Sequence, residues 1–392
     1  MNDIKTIIDI GNGFVKWILL WQEWGETVVL AKDIIKTTGM RKGKILDNEE
    51  FAHCINSLLE SFAKRLWGDF VEEVIVWVSH PMTVVKRIVE QKRILSGQVA
   101  HDDIQHLSDV VSDSWIKANY EVVKIIPVQW VIDDRVRVKD PLGMEAKRID
   151  LIADVFMLPK TFSSNIYEAF DRLDVHVVDI IPNILGASEV CLDFDVKDLW
   201  VLLVDIGSNQ TSYVVYEEWF PVLHGVLPLG GEDVTKDISI WLQVDIKDAE
   251  RIKREKWVIN LEKTASEDDT IDTWFLSDIM LARYEEIFEI INEHLEIANK
   301  DWRLPWWVIL TWWASKAKNI EFLAKDVFKL AVFQWMDKVM QLWDLSRNPQ
   351  FINVIGDYVW SKKYQNSKKK KFNLSLNFWF VRGIGAFLKK MF

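Results

Sequence analysis

The segment Asp9-Ile-Gly-Asn-Gly-Phe-Val-Lys16 is the part of the sequence that decides the fold. It completes the apolar run Lys5–Ile10 and leads into a second one, Trp17–Leu20, which predicts two strands joined by a glycine-containing turn. A strand that ends in Asp and turns through Gly can surround a phosphate with backbone N–H groups. The carboxylate can hold Mg²⁺ through water, because this ion keeps much of its hydration shell.

A second copy of this pattern opens the other half of the chain. The continuous apolar run Leu199–Asp205 is typical of a buried parallel strand, and Asp205-Ile-Gly-Ser-Asn-Gln-Thr-Ser212 follows it. Thr211–Tyr216 and Val222–Leu227 are then predicted as the strands of a hairpin. Either motif alone is weak, since a simple turn carboxylate explains it. Two copies indicate an internal repeat and predict a nucleotide bound between two lobes.

Tryptophan and glycine occur in abnormal proportion, with 21 Trp and only 16 Gly among 392 residues. Glycine normally makes up about 7% of a chain, or roughly 27 residues at this length. Several Trp fall where a turn or a helix cap favours Gly, as at Trp219, Trp257 and Trp306-Trp307. One hypothesis is a genuinely Trp-rich protein. We favour the other, in which the source organism inserts glycine at UGA codons that are written as Trp in this sequence.

The segment Val308-Ile-Leu-Thr-Trp-Trp-Ala-Ser-Lys316 supplies a third element. With Gly at positions 312 and 313 it becomes a strand followed by a Gly-Gly turn, whose bare backbone can approach a flat adenosine closely. Four indoles at positions 306, 307, 312 and 313 would instead crowd that approach. The sequence with Trp therefore predicts poor nucleotide binding, and the sequence with Gly predicts binding.

Two Asp-Gly phosphate loops followed by this adenosine loop resemble the actin, Hsp70 and sugar-kinase superfamily. Within it, the sequence is similar to the FtsA family of cell-division proteins over nearly its whole length. The matching segments are Gly39–Lys44, Val78–Pro81, Leu229–Ile238 and Ala249–Lys253, together with an insertion after Pro81. The resemblance implies an α/β, actin-like two-lobed ATPase fold with duplicated strand-loop-hairpin cores and the inserted SHS2 subdomain of that family.

The resemblance also divides the chain into subdomains. These are 1A (1–81 and 160–198), the inserted 1C (82–159), 2A (199–232 and 303–356), 2B (233–302), a linker (357–377) and a terminal helix (378–392). Hydrophobic periodicity predicts helices at Asn48–Phe70 and at about Asp102–Asn119, with the strand Val71–Val78 between them.

Site residues follow from the resemblance position by position. Asp9 and Asp205 correspond to the catalytic acids on the Mg²⁺ side, which hold the ion through water. Glu250 and Lys253 correspond to residues that face the ribose and base. The remaining nucleotide-binding positions are Gly11, Asn12, Gly13 and Lys16 in the first phosphate loop, Gly207, Ser208, Asn209 and Thr211 in the second, and Gly230, Gly231, Trp312, Trp313 and Ser315 around the nucleotide. The implied cofactors are ATP and Mg²⁺.

Two departures from the family pattern concern hydrolysis. The second loop of the superfamily usually runs Asp-Ile-Gly-Gly-Gly-Thr and ends in an acid, whereas this one runs from Asp205 through Ser-Asn-Gln to Ser212. Asn183 stands where many relatives have an acidic residue near the attacking water. Both changes remove carboxylates that could position Mg²⁺ or polarise water. Nucleotide binding is therefore better supported than hydrolysis, and weak ATPase activity at most is expected.

The C-terminal part of the sequence predicts a membrane contact. A polar, basic stretch, Lys362–Lys371, indicates a linker. Beyond it, the segment 378–392 drawn as a helix shows an aromatic, apolar stripe flanked by cations, as interfacial helices do on anionic membranes. The predicted membrane-binding residues are Phe380, Ile384, Phe387, Leu388, Lys389, Lys390 and Met391. The alternative, a helix that packs back on the protein, is less favoured because the linker isolates the segment.

Composition and charge argue against other classes of protein. The net charge of −11 argues against binding to nucleic acid, which requires a basic face. Cys54 and Cys191 lie in apolar surroundings, which predicts reduced thiols in the cytosol. No signal-peptide pattern is found in Met1–Lys16, and no apolar run is long enough to span a bilayer. With the resemblance, these features predict a peripheral protein on the cytoplasmic face of the cell membrane at the division site.

The resemblance implies an adaptor that binds the C-terminal tail of FtsZ through region 233–302, associates with itself into actin-like filaments and anchors FtsZ to the membrane. A pilus-assembly scaffold related to PilM is the alternative, since it shares the fold and the nucleotide site. A sugar kinase would need a base for its substrate, and none is evident. A chaperone ATPase would need a peptide-binding domain after Gly356, for which too few residues remain.

Overall fold

A computed structural model describes residues 3–23, 26–65, 71–114, 116–256, 259, 273–298, 307–311, 317–334 and 351–364. The first lobe begins with the predicted pair of antiparallel strands, in which Asp9 stands opposite Lys16. A third antiparallel strand, which was not predicted, extends this hairpin. The elements up to the insertion are β1 (Asp3–Ile10), β2 (Phe14–Glu23), β3 (Glu26–Lys36), β4 (Met40–Arg41), β5 (Lys44–Ile45), α1 (Asn48–Arg65) and β6 (Glu73–Val78).

The strand β1 is buried on both faces, which explains its nearly continuous apolar sequence. Ile7 packs into the core between the lobes, and Ile8 and Ile10 pack into the core under α1. On its other edge β1 pairs in parallel with β6. The end of β1 is thus held on both sides, which fixes the position of Asp9 at the edge of the sheet.

A four-stranded antiparallel sheet interrupts the first lobe, as the insertion after Pro81 predicts. Its order is β7-β10-β8-β9, and the helix packs on one face through Leu107 and Val111. The predicted extension of this helix to Asn119 is wrong, because the helix ends at Ser114 and Asn119 adopts a positive φ of 65° in a turn. The elements are β7 (Val84–Arg93), α2 (His101–Ser114), β8 (Tyr120–Ile132), β9 (Val136–Val138) and β10 (Arg148–Pro159).

The first lobe resumes after the insertion and completes a sheet of order β11-β6-β1-β2-β3. The helices α1 and α3 cover one face of this sheet through Phe51, Ile55 and Ile166. The elements of this part are α3 (Lys160–Asp171), β11 (His176–Pro182), α4 (Asn183–Cys191) and α5 (Phe194–Asp198).

The second lobe repeats this arrangement strand for strand. Its sheet has the order β14-β13-β12-β15-β16, in which three antiparallel strands adjoin two parallel ones, so the predicted internal repeat is confirmed. The elements are β12 (Val201–Ile206), β13 (Thr211–Glu217), β14 (Phe220–Leu227), α6 (Gly231–Leu242), α7 (Ile246–Glu255), α8 (Thr273–Ile297), β15 (Trp307–Thr311), α9 (Ile320–Phe328), β16 (Ala331–Gln334) and α10 (Ile352–Tyr364).

The inserted sheet also touches the second lobe. Arg87 makes two hydrogen bonds of 2.8 Å to Asp154 within the insertion and donates a third, of 2.9 Å, to the carbonyl oxygen of Pro221 on β14. The rings of Phe156 and His224 pack edge to face at 4.8 Å between centroids. The insertion therefore bridges the two lobes instead of projecting from the first alone.

The helices α4 and α10 cross at two glycines. A Cβ on Gly356 would lie 2.1 Å from the carbonyl oxygen of Gly186, so neither position leaves room for a side chain. The prediction of a linker from residue 357 is wrong for 357–364, which continue α10 with Tyr358 and Trp360 buried. The rest of that linker, 365–377, lies outside the described residues. None of the helices described is both long and apolar enough to cross a bilayer.

Two tryptophans adopt the left-handed backbone conformation that favours glycine. Trp200, between α5 and β12, has φ 67°, and Trp219, in the two-residue turn between β13 and β14, has φ 69°. Large side chains rarely adopt this region, whereas a turn with two positive φ angles commonly has Gly. Both observations support glycine at these positions, although the UGA hypothesis itself stays a prediction. Trp257, Trp306, Trp312 and Trp313 lie outside the described residues.

Candidate functional site

The two phosphate loops face each other across a cavity of about 930 Å³ between the lobes. The loop between β1 and β2 forms one side, and the loop between β12 and β13 forms the other. The predicted site residues that line the cavity are Asp9, Gly11, Asn12, Gly13, Lys16, Asp205, Gly207, Ser208, Asn209, Gly231, Glu250 and Lys253. Residues that were far apart in the sequence thus meet at one place.

Asp9 is held by one partner from its own hairpin and one from α4. Lys16 Nζ lies 2.6 Å from Asp9 Oδ2, and Asn183 Nδ2 donates to Asp9 Oδ1 at 2.5 Å. Asp9 and Lys16 are almost wholly buried, at 1% and 3% exposure. A buried ion pair of this kind persists only when further hydrogen bonds satisfy the charges. Asn183 supplies such a bond and fixes the carboxylate in place.

Asp205 occupies the equivalent position in the second lobe without a cation opposite it. Asn353 Nδ2, on α10, donates to Asp205 Oδ2 at 3.0 Å. Burial raises the pKa of Asp205 to about 7, because the hydrogen bond from Asn353 and the more distant charge of Lys16 compensate only in part. This carboxyl group therefore changes protonation near neutral pH.

Four buried oxygen atoms in this cavity have no hydrogen-bond donor within the described structure. They belong to Asn183, Asp205, Asn209 and Asn353, and each acts as an acceptor, that of Asp205 when its carboxyl group is ionised. Buried acceptors without donors are costly, at about 1–3 kcal/mol each. Water molecules bound to a divalent cation would supply the missing donors. These oxygens suit the water shell of Mg²⁺, which keeps several of its waters in proteins. Among the described residues, no three acidic, His or Cys side chains are grouped as direct metal ligands.

The first turn of α6 packs against the second phosphate loop. Gly231 N donates to Gly207 O at 2.9 Å, and Glu232 N donates to Ser208 O at 2.6 Å. A Cβ on Gly230 would lie 2.7 Å from two carbonyl oxygens of this loop, so only glycine allows this approach. The start of the helix thus holds the loop in shape and presents its positive end to the cavity.

Glu250 and Lys253 form a connected wall on the α7 side. Lys253 Nζ lies 2.6 Å from Glu250 Oε2 and donates to the carbonyl oxygen of Gly231 at 2.8 Å. Burial lowers the pKa of Lys253. Burial also opposes ionisation of Glu250, but the charge and hydrogen bond of Lys253, with bonds from Thr235 and Arg254, hold its pKa below the ordinary value. The pair is thus pre-oriented to meet polar groups of a ligand.

Some predicted site residues have other positions. Thr211 donates its hydroxyl to Leu229 O at 2.9 Å and does not line the cavity, and Gly230 lies behind the loop. Trp312, Trp313 and Ser315, and the predicted membrane-binding residues Phe380, Ile384, Phe387, Leu388, Lys389, Lys390 and Met391, lie outside the described residues.

More than half of the residues that line the cavity were not predicted as site residues, and Gln210 and Asn353 are among them. A signal for Asn353 was present, because Asn353-Val-Ile-Gly356 repeats the pattern of Asn183-Ile-Leu-Gly186. No local signal marked Gln210.

The fold and the paired phosphate loops define the actin-like ATPase class. A PilM–PilN type IV pilus biogenesis complex shares the fold with a TM-score of 0.62, over 90% of this chain and 96% of that one at 15% identity. MreB 5 of Spiroplasma citri bound to AMPPNP does so with a TM-score of 0.52, over 92% and 97% at 14% identity.

Within this class, two family models match the sequence. The model for cell division protein FtsA matches residues 202–356, and the model for the SHS2 domain inserted in FtsA matches residues 83–156. Cell division protein FtsA of Bacillus subtilis (strain 168) is 26% identical over 370 residues, which are 91% of this chain and 82% of the relative. The chain belongs to the FtsA family of cell-division proteins.

Proposed function

We propose that the protein binds ATP with Mg²⁺ between its lobes and, in that form, anchors FtsZ filaments to the cytoplasmic face of the membrane at the division ring. The observation that supports nucleotide binding most directly is the meeting of two phosphate loops around four unsatisfied acceptor oxygens. The structural relative MreB 5 is bound to AMPPNP, an ATP analogue.

The residues present fit both parts of this ligand. Lys16, Lys253 and the backbone N–H groups of the loops are donors that suit phosphate oxygens. Asp9, Asp205 and the two amides that hold them suit the water shell of Mg²⁺. Bound Mg²⁺ would neutralise part of the phosphate charge. Asn183 has an amide where a carboxylate would be needed to accept a proton from water, so we expect slow hydrolysis at most.

Calorimetric titration with ATP tests nucleotide binding. We expect the chain with Gly at 312 and 313 to bind ATP in the presence of Mg²⁺ and to lose about 10-fold or more of that affinity in EDTA. Asp205→Ala in the same chain should cause a similar loss, since it removes one of the two carboxylates that would hold the water shell of Mg²⁺. The control is Lys147→Ala, a change in the insertion away from the cavity, which should bind like the parent chain. Equal affinity with and without Mg²⁺ would contradict the proposal.

The residues at 312 and 313 provide a second test of the same site. We expect the chain with Trp312 and Trp313 to bind ATP poorly and the chain with Gly at both positions to bind it. The mass of the peptide Leu304–Lys316 from the native organism would show which residues the protein contains. Equal ATP affinity of the two versions would contradict the proposal that residues 312 and 313 approach the adenosine.

The region 233–302 is the proposed contact with the C-terminal tail of FtsZ. Support comes from two apolar side chains near the end of α6, Ile240 and Trp241, which are 70% and 63% exposed. We expect Ile240→Ala to weaken binding of an FtsZ tail peptide several-fold by fluorescence anisotropy. Leu95→Ala removes a still more exposed residue from the insertion and serves as the matched control. If both variants weaken binding equally, the peptide does not bind at 233–302.

The segment 378–392 is the proposed membrane contact. We expect the full chain to sediment with vesicles that contain anionic lipids and much less with neutral vesicles, since cations near the surface contribute about 1 kcal/mol each. Lys389→Gln with Lys390→Gln should reduce the bound fraction without altering unfolding. Binding that is indifferent to both lipid charge and these lysines would refute an interfacial helix. Actin-like self-association is proposed from the family and fold, and sedimentation with and without ATP would detect it.

A pilus-assembly scaffold is the second candidate, because the PilM–PilN complex shares the fold at a TM-score of 0.62. The two functions differ in the peptide that is bound. Binding of a PilN peptide, with no binding of the FtsZ tail, would favour the scaffold.

A further inference from the structure

Gln210 reaches from the second phosphate loop into the first lobe. It is the fourth residue of the turn that follows β12, and it is only 6% exposed although the loop lines the cavity. Its amide oxygen accepts a hydrogen bond from Asn12 Nδ2 at 2.6 Å. Asn12 belongs to the first phosphate loop, so this bond joins the two loops directly, across 198 residues of sequence.

Residues of the first lobe surround the side-chain amide of Gln210. In the opposite orientation of the amide, its nitrogen lies 3.1 Å from the carbonyl oxygen of Ser79 and its oxygen 3.3 Å from Gly43 N, but its nitrogen also faces Asn12 Nδ2 at 2.6 Å. The bond from Asn12 therefore belongs to the first orientation, and the contacts with Ser79 and Gly43 belong to the second. Every partner in either orientation belongs to the first lobe. A Cβ on Gly43 would lie 2.0 Å from Gln210 Nε2, and Gly43 also has a φ of +75°, so the turn between β4 and β5 is shaped around this side chain.

The same contact engages both ends of the Asn12 side chain. Its nitrogen bonds to Gln210, and its oxygen accepts from Gly43 N at 2.5 Å. Further contacts surround this bridge. Ser79 Oγ and Ser212 Oγ lie 3.2 Å apart across the lobes, and Lys42 Nζ lies 3.7 Å from a carboxylate oxygen of Asp233. The lobes therefore meet through polar side chains at the place where a nucleotide phosphate would otherwise join them.

We propose that Gln210 is a positioning residue that locks the two phosphate loops together, so that the lobes close without help from a bound nucleotide. A buried amide has this effect because opening the cleft would break its bonds and leave its polar atoms to be resolvated. In an actin-like fold without such a bridge, phosphate contacts to both loops would have to supply the closing energy. Here the second loop contains Gln210 itself, and the closed arrangement becomes a property of the apo chain.

Distance measurements on the nucleotide-free, full-length protein test this directly. Spin labels are attached at Glu49→Cys on the first lobe and Glu255→Cys on the second, both exposed positions. The native Cys54 and Cys191 are buried, and burial raises the pKa of both thiols, so the parent chain should take up no label. Double electron–electron resonance then reports how far the lobes open.

We expect a single narrow distance distribution in the parent chain, unchanged by AMPPNP with Mg²⁺. Gln210→Ala should give a longer and broader distribution without nucleotide. Gln105→Ala, an exposed glutamine on α2, should behave like the parent. A parent chain that is already open without nucleotide, or a Gln210→Ala distribution identical to the parent, would overturn the proposal.

A double-mutant cycle separates the bridge from a general loss of stability. Asn12→Ala removes the other half of the contact, and the variant with both changes should open no further than either single variant, because the two residues act as one unit. Additive opening would show that Gln210 acts without Asn12 and would refute the bridge. Intact unfolding transitions in all three variants are the control for folding.

Nucleotide selectivity gives a readout that a merely structural residue would not change. Because closure in the parent chain does not depend on the terminal phosphate, ATP and ADP should bind with similar affinity. In Gln210→Ala the preference for ATP should increase by about 5-fold or more, since the terminal phosphate then contributes to closure. An unchanged ratio would contradict the proposal. The comparison of ATP with ADP rests on the proposed nucleotide binding, whereas the distance measurements do not. If the chain binds no nucleotide but the Gln210→Ala variant opens, the proposed nucleotide binding is refuted and the Gln210 bridge is supported.

Discussion

The two lobes share one strand order but treat their central carboxylates differently. In the first lobe, Asp9 stands opposite Lys16 across the hairpin, and in the second lobe Asp205 stands opposite Ser212. An asparagine near the start of a helix bonds to each carboxylate, Asn183 of α4 to Asp9 and Asn353 of α10 to Asp205. The repeat therefore conserves the amide partner and changes only the residue across the hairpin.

This single difference separates the electrostatic behaviour of the two acids. Asp9 has a buried cation 2.6 Å away, whereas burial without a paired cation raises the pKa of Asp205 to about 7. The comparison teaches that one side of the site has a fixed ion pair. The other side has a carboxyl group whose charge depends on what is bound and on pH.

The largest expected effect follows from removal of the cation in the first lobe. Lys16→Met should lower the free energy of unfolding by about 3–5 kcal/mol, because it leaves Asp9 as an uncompensated buried charge. Urea unfolding followed by circular dichroism measures this. The matched control, Ser212→Ala at the equivalent position of the second lobe, should cost about 1 kcal/mol or less. Equal losses in the two variants would mean that the lobes do not differ as described.

The pH dependence of stability sharpens the comparison. The pKa of Asp205 rises from 3.8 to about 7 on folding, so between these pH values the folded protein binds more protons than the unfolded chain. The contribution of Asp205 to stability should therefore be lost as the pH rises through this window. Burial also raises the pKa of Asp357 on α10, in the same direction. The buried His80 and His224, whose pKa burial lowers to about 4, contribute in the opposite direction, so the effect of Asp205 is measured as a difference between variants. Thermal unfolding of the parent chain at a series of pH values measures the slope.

Two variants test whether Asp205 causes this slope. Ser212→Lys places a cation opposite Asp205, as Lys16 stands opposite Asp9, and should lower the pKa of Asp205 and make the slope of stability against pH more positive. Asp205→Asn removes the titrating group and should change the slope in the same direction, even if the lysine variant fails to fold. A slope that is unchanged in Asp205→Asn would assign the effect to other groups, with Asp357 first.

The smallest expected effect concerns the Trp residues with positive φ. Trp200→Gly should stabilise the protein by about 1 kcal/mol, because glycine adopts this conformation without the steric cost. Trp241→Gly, on the exposed side of α6, should instead cost about 1 kcal/mol. Thermal unfolding of both variants gives the comparison. Loss of stability in both would argue that Trp200 is accommodated without strain.

The sequence predicted elements whose pattern is local. The segment Asp9–Lys16 and its copy at Asp205 were recognised because apolar runs end at an Asp-Ile-Gly turn in both. The helix α10 was missed because it is buried on most sides and contains the polar residues Asn353 and Asp357, so it lacks the one-sided apolar stripe of a surface helix. The edge strand β3 was missed as well, since the hairpin was expected to end with β2.

The family resemblance named 12 of the 27 residues that line the cavity, whereas the polar links between them were not predicted. The bond from Asn353 to Asp205 spans 148 residues, and the bond from Asn12 to Gln210 spans 198. The loop motifs that contain Asn12, Asp205 and Gln210 do not indicate which side chains bond to each other, and only the folded arrangement of the two lobes brings these pairs together. Thr211 shows the converse, because the resemblance included it in the second phosphate loop, whereas its hydroxyl donates to Leu229 O outside the cavity.

The glycine crossing of α4 and α10 has a mechanical consequence. Gly186 lies three residues after Asn183, and Gly356 three residues after Asn353, so each crossing point is about one helical turn from the amide that holds a carboxylate. The two helices touch at these glycines, and the two amides lie close to the contact. A methyl group at either glycine would push the helices apart, and Asp9 and Asp205, which are bonded to the amides, would move apart with them. The absence of side chains at Gly186 and Gly356 therefore keeps the two acids close together.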